Sequence, residues 1–151
     1  MKIRRGTIKD LKEIAELDYL FFKGFLKTNP WLDKKHCLAN FLLPLRKKIS
    51  NKNRIFFVLE DNHSLVGFSS GEISQNYFYF KEKKAGWLTD VFVMKRHRGK
   101  GLGEQLAKEV IGWLHKKGVK DISLKVYPKN NTAIGLYKKL GFKNYMMVMR
   151  K

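Results

Sequence analysis

The sequence predicts an α+β domain built in layers, and three observations predict it. An amphipathic helical pattern follows the first few residues. Strand-length apolar runs separated by turn residues fill the middle, and helix and strand patterns alternate from residue 102 onward. The expected order is strand, two helices, a three-strand meander, helix, strand, helix, strand. That is a layered domain whose first half is predominantly antiparallel.

Each element has its own signal. Ile3-Arg4-Arg5 is a short first strand. Thr7 followed by Asp10 fits an N-cap with an acid at N3, and Ile8, Leu11, Ile14, Ala15, Leu17 and Leu20 recur at helical spacing, predicting a helix over about 8–20. The aromatic stretch Tyr19 to Phe25 reads as core or as the wall of an apolar pocket. Asn29-Pro30 breaks the chain, and a second helical stretch is expected from Asp33, with Cys37, Leu38, Phe41, Leu42 and Leu45 as its stripe and Pro44 dividing or kinking it. Arg54 to Glu60 and Leu65 to Ile73 flank the turn Asp61-Asn62-His63 as a hairpin. A turn through Lys81-Glu82-Lys83-Lys84 leads to a third strand over Ala85 to Met94. Leu102, Leu106, Val110, Trp113 and Leu114 mark a helix that ends near Gly118. A strand over Asp121 to Tyr127, a short helix capped by Asn130-Asn131-Thr132, and a last strand over Tyr145 to Met149 complete the chain.

The 151 residues suit one domain, 1–151, able to bury roughly 68–70% of its unfolded surface. No apolar run approaches the ~18 residues of a membrane span, and no apolar segment near Met1 resembles a signal peptide. Cys37 is the only cysteine, which excludes an intrachain disulfide and a cysteine zinc cluster; His36 beside it has no further ligands nearby, so no metal is expected. A soluble, cytoplasmic protein is the expectation. The net charge of +19 attracts anions, whether a phosphorylated cofactor, nucleic acid or an anionic membrane; the plainer alternative is a solvated basic surface.

The most informative stretch is Val91-Phe92-Val93 followed by Lys95, Arg96, Arg98, Gly99, Lys100, Gly101 and Gly103. It is a strand, a basic glycine loop and the first turn of a helix, which in physical terms is a phosphate cradle. A nucleoside-triphosphate loop needs Lys-Ser/Thr after its last glycine, and Gly103 is followed by Glu104-Gln105. A dinucleotide fold needs Gly-x-Gly-x-x-Gly directly after a strand, and here the glycines alternate.

Arg98-x-x-Gly101-x-Gly103 after Val-Phe-Val, followed by Asn130-x-x-Ala133-x-x-Leu136-Tyr137-x-x-x-Gly141-Phe142, resembles the GNAT acetyltransferase superfamily. The order of elements carries the resemblance over nearly the whole chain, and residues 87–142 carry it at motif level. It implies a mixed, mostly antiparallel central sheet of six or seven strands flanked by about four helices. It also implies acetyl-coenzyme A as donor and direct transfer to an amine, on a small molecule or on a protein lysine or N-terminus. Carried over, the backbone of Gly99, Lys100, Gly101, Leu102, Gly103 and Glu104 would hold the pyrophosphate, with Arg98 adding charge. The backbone of Val91, Phe92 and Val93 would follow the pantetheine arm, and Asn130 would make a further contact.

Tyr137 occupies the superfamily's general-acid position, the alternative being a tyrosine that covers the sheet. Within the superfamily, Trp87-Leu88-Thr89-Asp90-Val91-Phe92-Val93-Met94 looks most like the diamine N-acetyltransferases, which carry a Glu-Asp pair there; Asp90 keeps the second acid and Thr89 replaces the first. Asp90 is the first candidate to steer or deprotonate the amine, and Glu72 the second. Tyr19, Phe21, Phe22, Tyr77 and Tyr79 are placed to line an acceptor slot. A non-enzymatic basic domain that binds nucleic acid is the alternative, but no nucleic-acid motif appears and the glycine loop would lack a purpose. With nine residues after Phe142, a partner strand in a homodimer is a further expectation.

Overall fold

The structure is a computed structural model, and it describes residues 1–28 and 42–149. Five strands form one sheet: β1 (Lys2–Arg5), β2 (Arg54–Asp61), β3 (Ser64–Gln75), β4 (Lys84–Val93) and β5 (Asp121–Leu124). They lie side by side in chain order, antiparallel from β1 to β4 and parallel between β4 and β5. The described helices are α1 (Leu11–Thr28), α2 (Leu42–Ile49), α3 (Leu102–Lys116) and α4 (Asn131–Lys139). The mixed α+β architecture and the meander match the expectation. Among the described residues, however, the sheet has five strands and not six or seven.

The strand expected over 145–149 is absent. These residues carry no regular structure, and each is between 76% and 85% exposed. A single extended segment gains little until a second backbone pairs its N–H and C=O groups, and no described strand lies beyond β5. β5 is also shorter than expected, ending at Leu124 and not near Tyr127.

The first helix starts later and runs further than its periodicity suggests. Ile8–Asp10 form a 3-10 turn, and α1 continues through the aromatic stretch. The Asp10 carboxylate accepts the Thr7 backbone N–H at 2.7 Å and the Thr7 hydroxyl at 3.0 Å. Arg4 grips the same carboxylate with two N–H groups at 2.7 and 3.0 Å and reaches Glu60 of β2 at 2.7 Å. One arginine therefore ties β1 and β2 to the helix start, and it holds the Asp10 carboxyl down to about 2. Pro44 lies in the first turn of the described helix α2, where a missing N–H has no intrahelical partner to lose. The rest of the expected second helix, including His36 and Cys37, falls outside the described residues.

Alternation along β2 and β3 sends side chains to two cores. Phe56, Val58 and Phe68 meet Ile14, Leu17 and Leu45 from α1 and α2, and Phe92 of β4 joins them. On the other face Ile55 and Leu88 meet Val110 and Leu114 of α3, while Leu59, Val66 and Val93 meet Leu102 and Leu106. Fully buried residues such as Phe68 and Leu106 each contribute roughly 1.5–3 kcal/mol. Among the described residues no helix is long and apolar enough to cross a membrane.

Two irregularities in β4 shape the surface it presents. Ser70 pairs with Asp90 but Gly71 pairs with Leu88, so Thr89 is an extra residue in the ladder, a β-bulge. Without it Leu88 would share the α1 face with Asp90 and Phe92; with it Leu88 turns to α3. In addition, β4 and β5 pair only from Ala85–Asp121 to Leu88–Leu124. Beyond that point no described strand pairs with the β5-side edge of β4.

Candidate active site

The glycine loop runs from the end of β4 through a 3-10 turn (Lys95–His97) to α3. Gly99 and Gly101 have φ of +78° and +72°, and a Cβ added at either would meet no atom within 4 Å. The left-handed backbone is therefore what requires glycine there, and the space over the loop is open. Gly101 is the N-cap of α3 and no side chain caps the helix there, so among the described residues the first N–H groups of α3 have no capping partner and carry the positive end of its dipole. Gly103 has a different reason to be small: a Cβ would touch Leu136 Cδ1 at 3.4 Å and Val91 Cγ1 at 3.8 Å, where α3, β4 and α4 converge.

Charges around the loop are arranged to suit an anion. Lys100 is exposed. Glu104 is paired with Lys108 and with Lys139 of α4, both at 2.7 Å, which holds its carboxyl down at about 2 and offsets its charge. Arg98 donates through Nε to the Val93 carbonyl at 2.7 Å and lies 5.8 Å from the Phe92 ring, pinning the loop to the end of β4. Arg96 donates to His97 Nε2 at 3.0 Å, so a neutral His97 carries its proton on Nδ1. A cavity of about 410 Å³ lies behind this turn against Met1, Asp61 and His97, and neither Asp90 nor Tyr137 lines it.

The bulge puts Asp90 on the α1 face, two residues before Phe92. Asp90 Oδ2 accepts the Ser70 hydroxyl at 2.5 Å, and Ser70 Oγ lies 2.5 Å from Thr89 Oγ1. Serine has one hydroxyl proton, so if Ser70 gives it to Asp90, Thr89 must be the donor to Ser70. The chain Thr89 to Ser70 to Asp90 fixes the carboxylate. Tyr137 is half-buried on α4, its ring 6.1 Å from that of Phe142. Burial first, and the charge of Asp90 second, push its phenol above the ordinary value. A third group joins them from α1: burial pushes the Asp18 carboxyl up to about 7, and Asp90 adds to the effect while Lys48 of α2 opposes it.

The structure brings some of the sequence-predicted residues together and leaves others apart. Gly103 lies against Val91 of β4 and Leu136 of α4, so the loop, the end of β4 and α4 adjoin, and Asp90 is near enough to bear on the Tyr137 phenol. Asn130 is the N-cap of α4, its Oδ1 accepting the Ala133 N–H at 3.2 Å, which leaves its amide N–H₂ for any ligand. Glu72 is engaged elsewhere, in a cross-strand ion pair with Arg54. Of the aromatic residues, Phe21 is core, its ring 5.8 Å from Phe92 and 6.3 Å from Phe68. Tyr77 and Tyr79 stack on each other at 5.5 Å and are 69% and 67% exposed. Two residues escaped the sequence reading. Ser70 left no signal. Asp18 did, as an acid at position 18 in a helix stripe otherwise made of Ile14, Leu17 and Phe21.

The fold and the loop together define a class: a layered α+β domain that presents an uncapped helix N-terminus beside an opened parallel strand pair. The chain belongs to the GNAT family of acetyltransferases, whose sequence profile matches residues 10–142. It is 31% identical over 147 residues to an uncharacterised N-acetyltransferase of Methanocaldococcus jannaschii, covering 97% of this chain and 62% of that protein. It is 34% identical over 79 residues to the spermine/spermidine N(1)-acetyltransferase of Bacillus subtilis, covering 52% of each. The aminoglycoside N-acetyltransferase AAC(6')-Iy, solved in complex with CoA, superposes with a TM-score of 0.81 at 19% identity, over 99% of this chain and 92% of that one.

Proposed function

We propose that this chain is an N-acetyltransferase domain that moves an acetyl group from acetyl-coenzyme A directly to a primary amine. The observation that carries the reading is the continuity of two open features. Among the described residues, the glycine loop leads into a helix start that no side chain caps, with open space over Gly99 and Gly101, and no described strand pairs with the β4 edge next to it after Leu88. The residues present fit the donor on this count: Gly99 to Glu104, with Arg98 and Lys100, hold the pyrophosphate. Val91, Phe92 and Val93 offer backbone hydrogen bonds to the arm, although the Val93 carbonyl is already shared with Arg98. The Asn130 amide adds a donor near the start of α4.

Acetyl-coenzyme A supplies the acetyl group as a thioester; amine attack on its carbonyl carbon forms the amide bond, breaks the C–S bond and releases the thiol. An amine of the lysine type has a pKa near 10.4 and must lose a proton first. Asp90, held by Ser70, draws the ammonium in and takes that proton directly or through water. Tyr137 stays protonated across the physiological range because its phenol is raised. A thiol of pKa about 8.5 is the stronger acid, so complete transfer from Tyr137 is uphill. Its contribution is a hydrogen bond to the departing sulfur as charge builds there.

Calorimetry with acetyl-coenzyme A at near-physiological salt tests the reading. Binding is expected, and its absence overturns the proposal. A panel of amines and peptides assayed for released thiol then identifies the acceptor. The free edge of β5 and the exposed apolar residues 145–149 support a homodimer, which a monomeric mass by light scattering at micromolar concentration would refute.

A further inference from the structure

We propose that the turn between β3 and β4, together with the lysine-lined cavity at its base, binds single-stranded nucleic acid. The inference goes beyond acetyl transfer and does not depend on it. A cavity of about 320 Å³ lies where the turn before β2, the end of β3, the start of β4 and the end of α3 come together. Lys52, Lys84 and Lys117 line it with Asn53, Ser74 and Gln75, and among the described residues no carboxylate does. All three lysines are exposed, and none forms an ion pair among the described residues. Ammonium groups gathered around one cavity repel each other, and an anion seated there relieves that cost.

Each lysine belongs to a different segment, and backbone hydrogen bonds hold those segments in place. The Asn53 carbonyl accepts the Ile73 N–H at 2.8 Å, and the Asn51 side chain accepts the Asn53 N–H at 2.9 Å. Lys84 pairs with Gln75 across the β3–β4 ladder. The Lys117 N–H closes α3 onto the Leu114 carbonyl at 3.0 Å. Two acids at this end of the sheet are engaged already, Glu72 with Arg54 and Asp121 with the Asn76 amide at 3.0 Å. β4 runs ten residues from here to Val93, so the cavity lies about 30 Å along the strand from the glycine loop. The two cationic sites are separate.

The turn that rises from the cavity rim is closed by the Asn76 N–H, which donates to the Lys83 carbonyl at 3.0 Å. It carries four aromatic residues in a row, Tyr77 to Phe80. Tyr77 and Tyr79 lie parallel within 4°, their ring centroids 5.5 Å apart, and Phe78 packs edge-on against Tyr79 at 5.3 Å. Tyr79 is thus enclosed by the cluster, whereas Tyr77 has one ring neighbour among the described residues and is 69% exposed. An exposed ring face held beside a cationic cavity large enough for a phosphate suits an unpaired base and the phosphate next to it. Rings stacked on each other withhold apolar area from a lipid surface but extend a stack of bases, which favours a strand over a membrane.

The test is fluorescence anisotropy with a labelled single strand of ~8 nucleotides and an abasic strand of the same length, both in excess coenzyme A. The parent is expected to prefer the base-bearing strand by ~5-fold or more. Tyr77→Ala should weaken that strand by ~5- to 150-fold and leave the abasic strand unaffected, while Tyr77→Phe, which keeps the ring, binds like the parent. Lys84→Gln with Lys117→Gln should lower the slope of log affinity against log salt by about 0.7 per lysine. Lys9→Gln with Lys12→Gln is an equal charge change at exposed positions away from the cavity, and the slope should not move. Equal affinity for the two strands, equal slope losses in the two double variants, or release of the strand by coenzyme A overturns the proposal. Capture by vesicles of phosphatidylcholine and phosphatidylserine that requires Tyr77, with no binding of the strand, overturns it as well.

Discussion

Replacing Asp18 by Asn removes a charge and nearly keeps the shape, and it should make the protein more stable above neutral pH. In the folded chain the Asp18 carboxyl is pushed from 3.8 to about 7, by burial first and by Asp90 second. A carboxyl raised in the folded state contributes stability that is fully present below its unfolded value and is lost as pH rises through the folded one. At about 1.36 kcal/mol per pH unit, the interval from 3.8 to about 7 sets a ceiling of roughly 4 kcal/mol. Solvent reaching the half-buried group brings the expected loss to about 2 kcal/mol. Urea unfolding of both proteins from about pH 4 to about pH 8 measures it. The difference between them should swing by that amount in favour of Asp18→Asn as pH rises. Parallel stability curves across this window, or a parent that is the more stable above pH 7, would refute the account of Asp18.

Three further outcomes concern other residues. Tyr137→Phe keeps the ring packing and loses one hydrogen bond to a charged sulfur, about 1.5–3 kcal/mol, so kcat at saturating donor should fall roughly 10- to 150-fold; thiol release at the parent rate removes the role. Gly101→Ala places a Cβ on a residue with φ +72°, and strain of about 1 kcal/mol in the loop should weaken acetyl-coenzyme A binding by ~5-fold in calorimetry; unaltered affinity would show that the loop geometry is not needed. The Asp10 carboxyl is lowered from 3.8 to about 2, so its stabilisation is present above 3.8 and lost as pH falls through 2. Asp10→Asn should therefore be less stable by roughly 2 kcal/mol at neutral pH and converge with the parent near pH 2, and acid melts that stay apart would contradict the ion pair.

What was legible in the sequence is what short-range chemistry encodes. Asp61-Asn62-His63 announces a turn, and in the structure Asn62 and His63 take φ of +46° and +62°. Gly99 and Gly101 announce left-handed backbone, and Asn130 announces a helix cap. The bulge at Thr89 left no such mark, because an extra residue exists only relative to the β3 register. For the same reason Ser70, the partner of Asp90, could not be picked out from Ser69, whose hydroxyl instead donates to the Leu106 carbonyl of α3 at 2.9 Å. The apolar run Tyr145 to Met149 reads as a strand, but pairing is decided by a second backbone and not by pattern. Arg98 was legible as charge; its hydrogen bond to Val93 depends on how the loop turns. Asp18 was visible as an acid in an apolar stripe, but its meaning depends on Asp90, which lies across the core.

The four-residue ladder between β4 and β5 has a consequence for how the molecule comes apart. Strands β2 to β4 share long antiparallel registers and two cores, whereas β5 is joined to them only from Ala85 to Leu88. The segment from β5 through α4 is thus the natural unit of sub-global opening, held by that short ladder, the packing of Leu136, Tyr137 and Leu140, and the Glu104–Lys139 pair. A donor lying in the gap would touch both sides of the seam and act as a staple. Amide hydrogens of residues 121–124 should exchange well ahead of those in β2 and β3, and gain the most protection when coenzyme A is added.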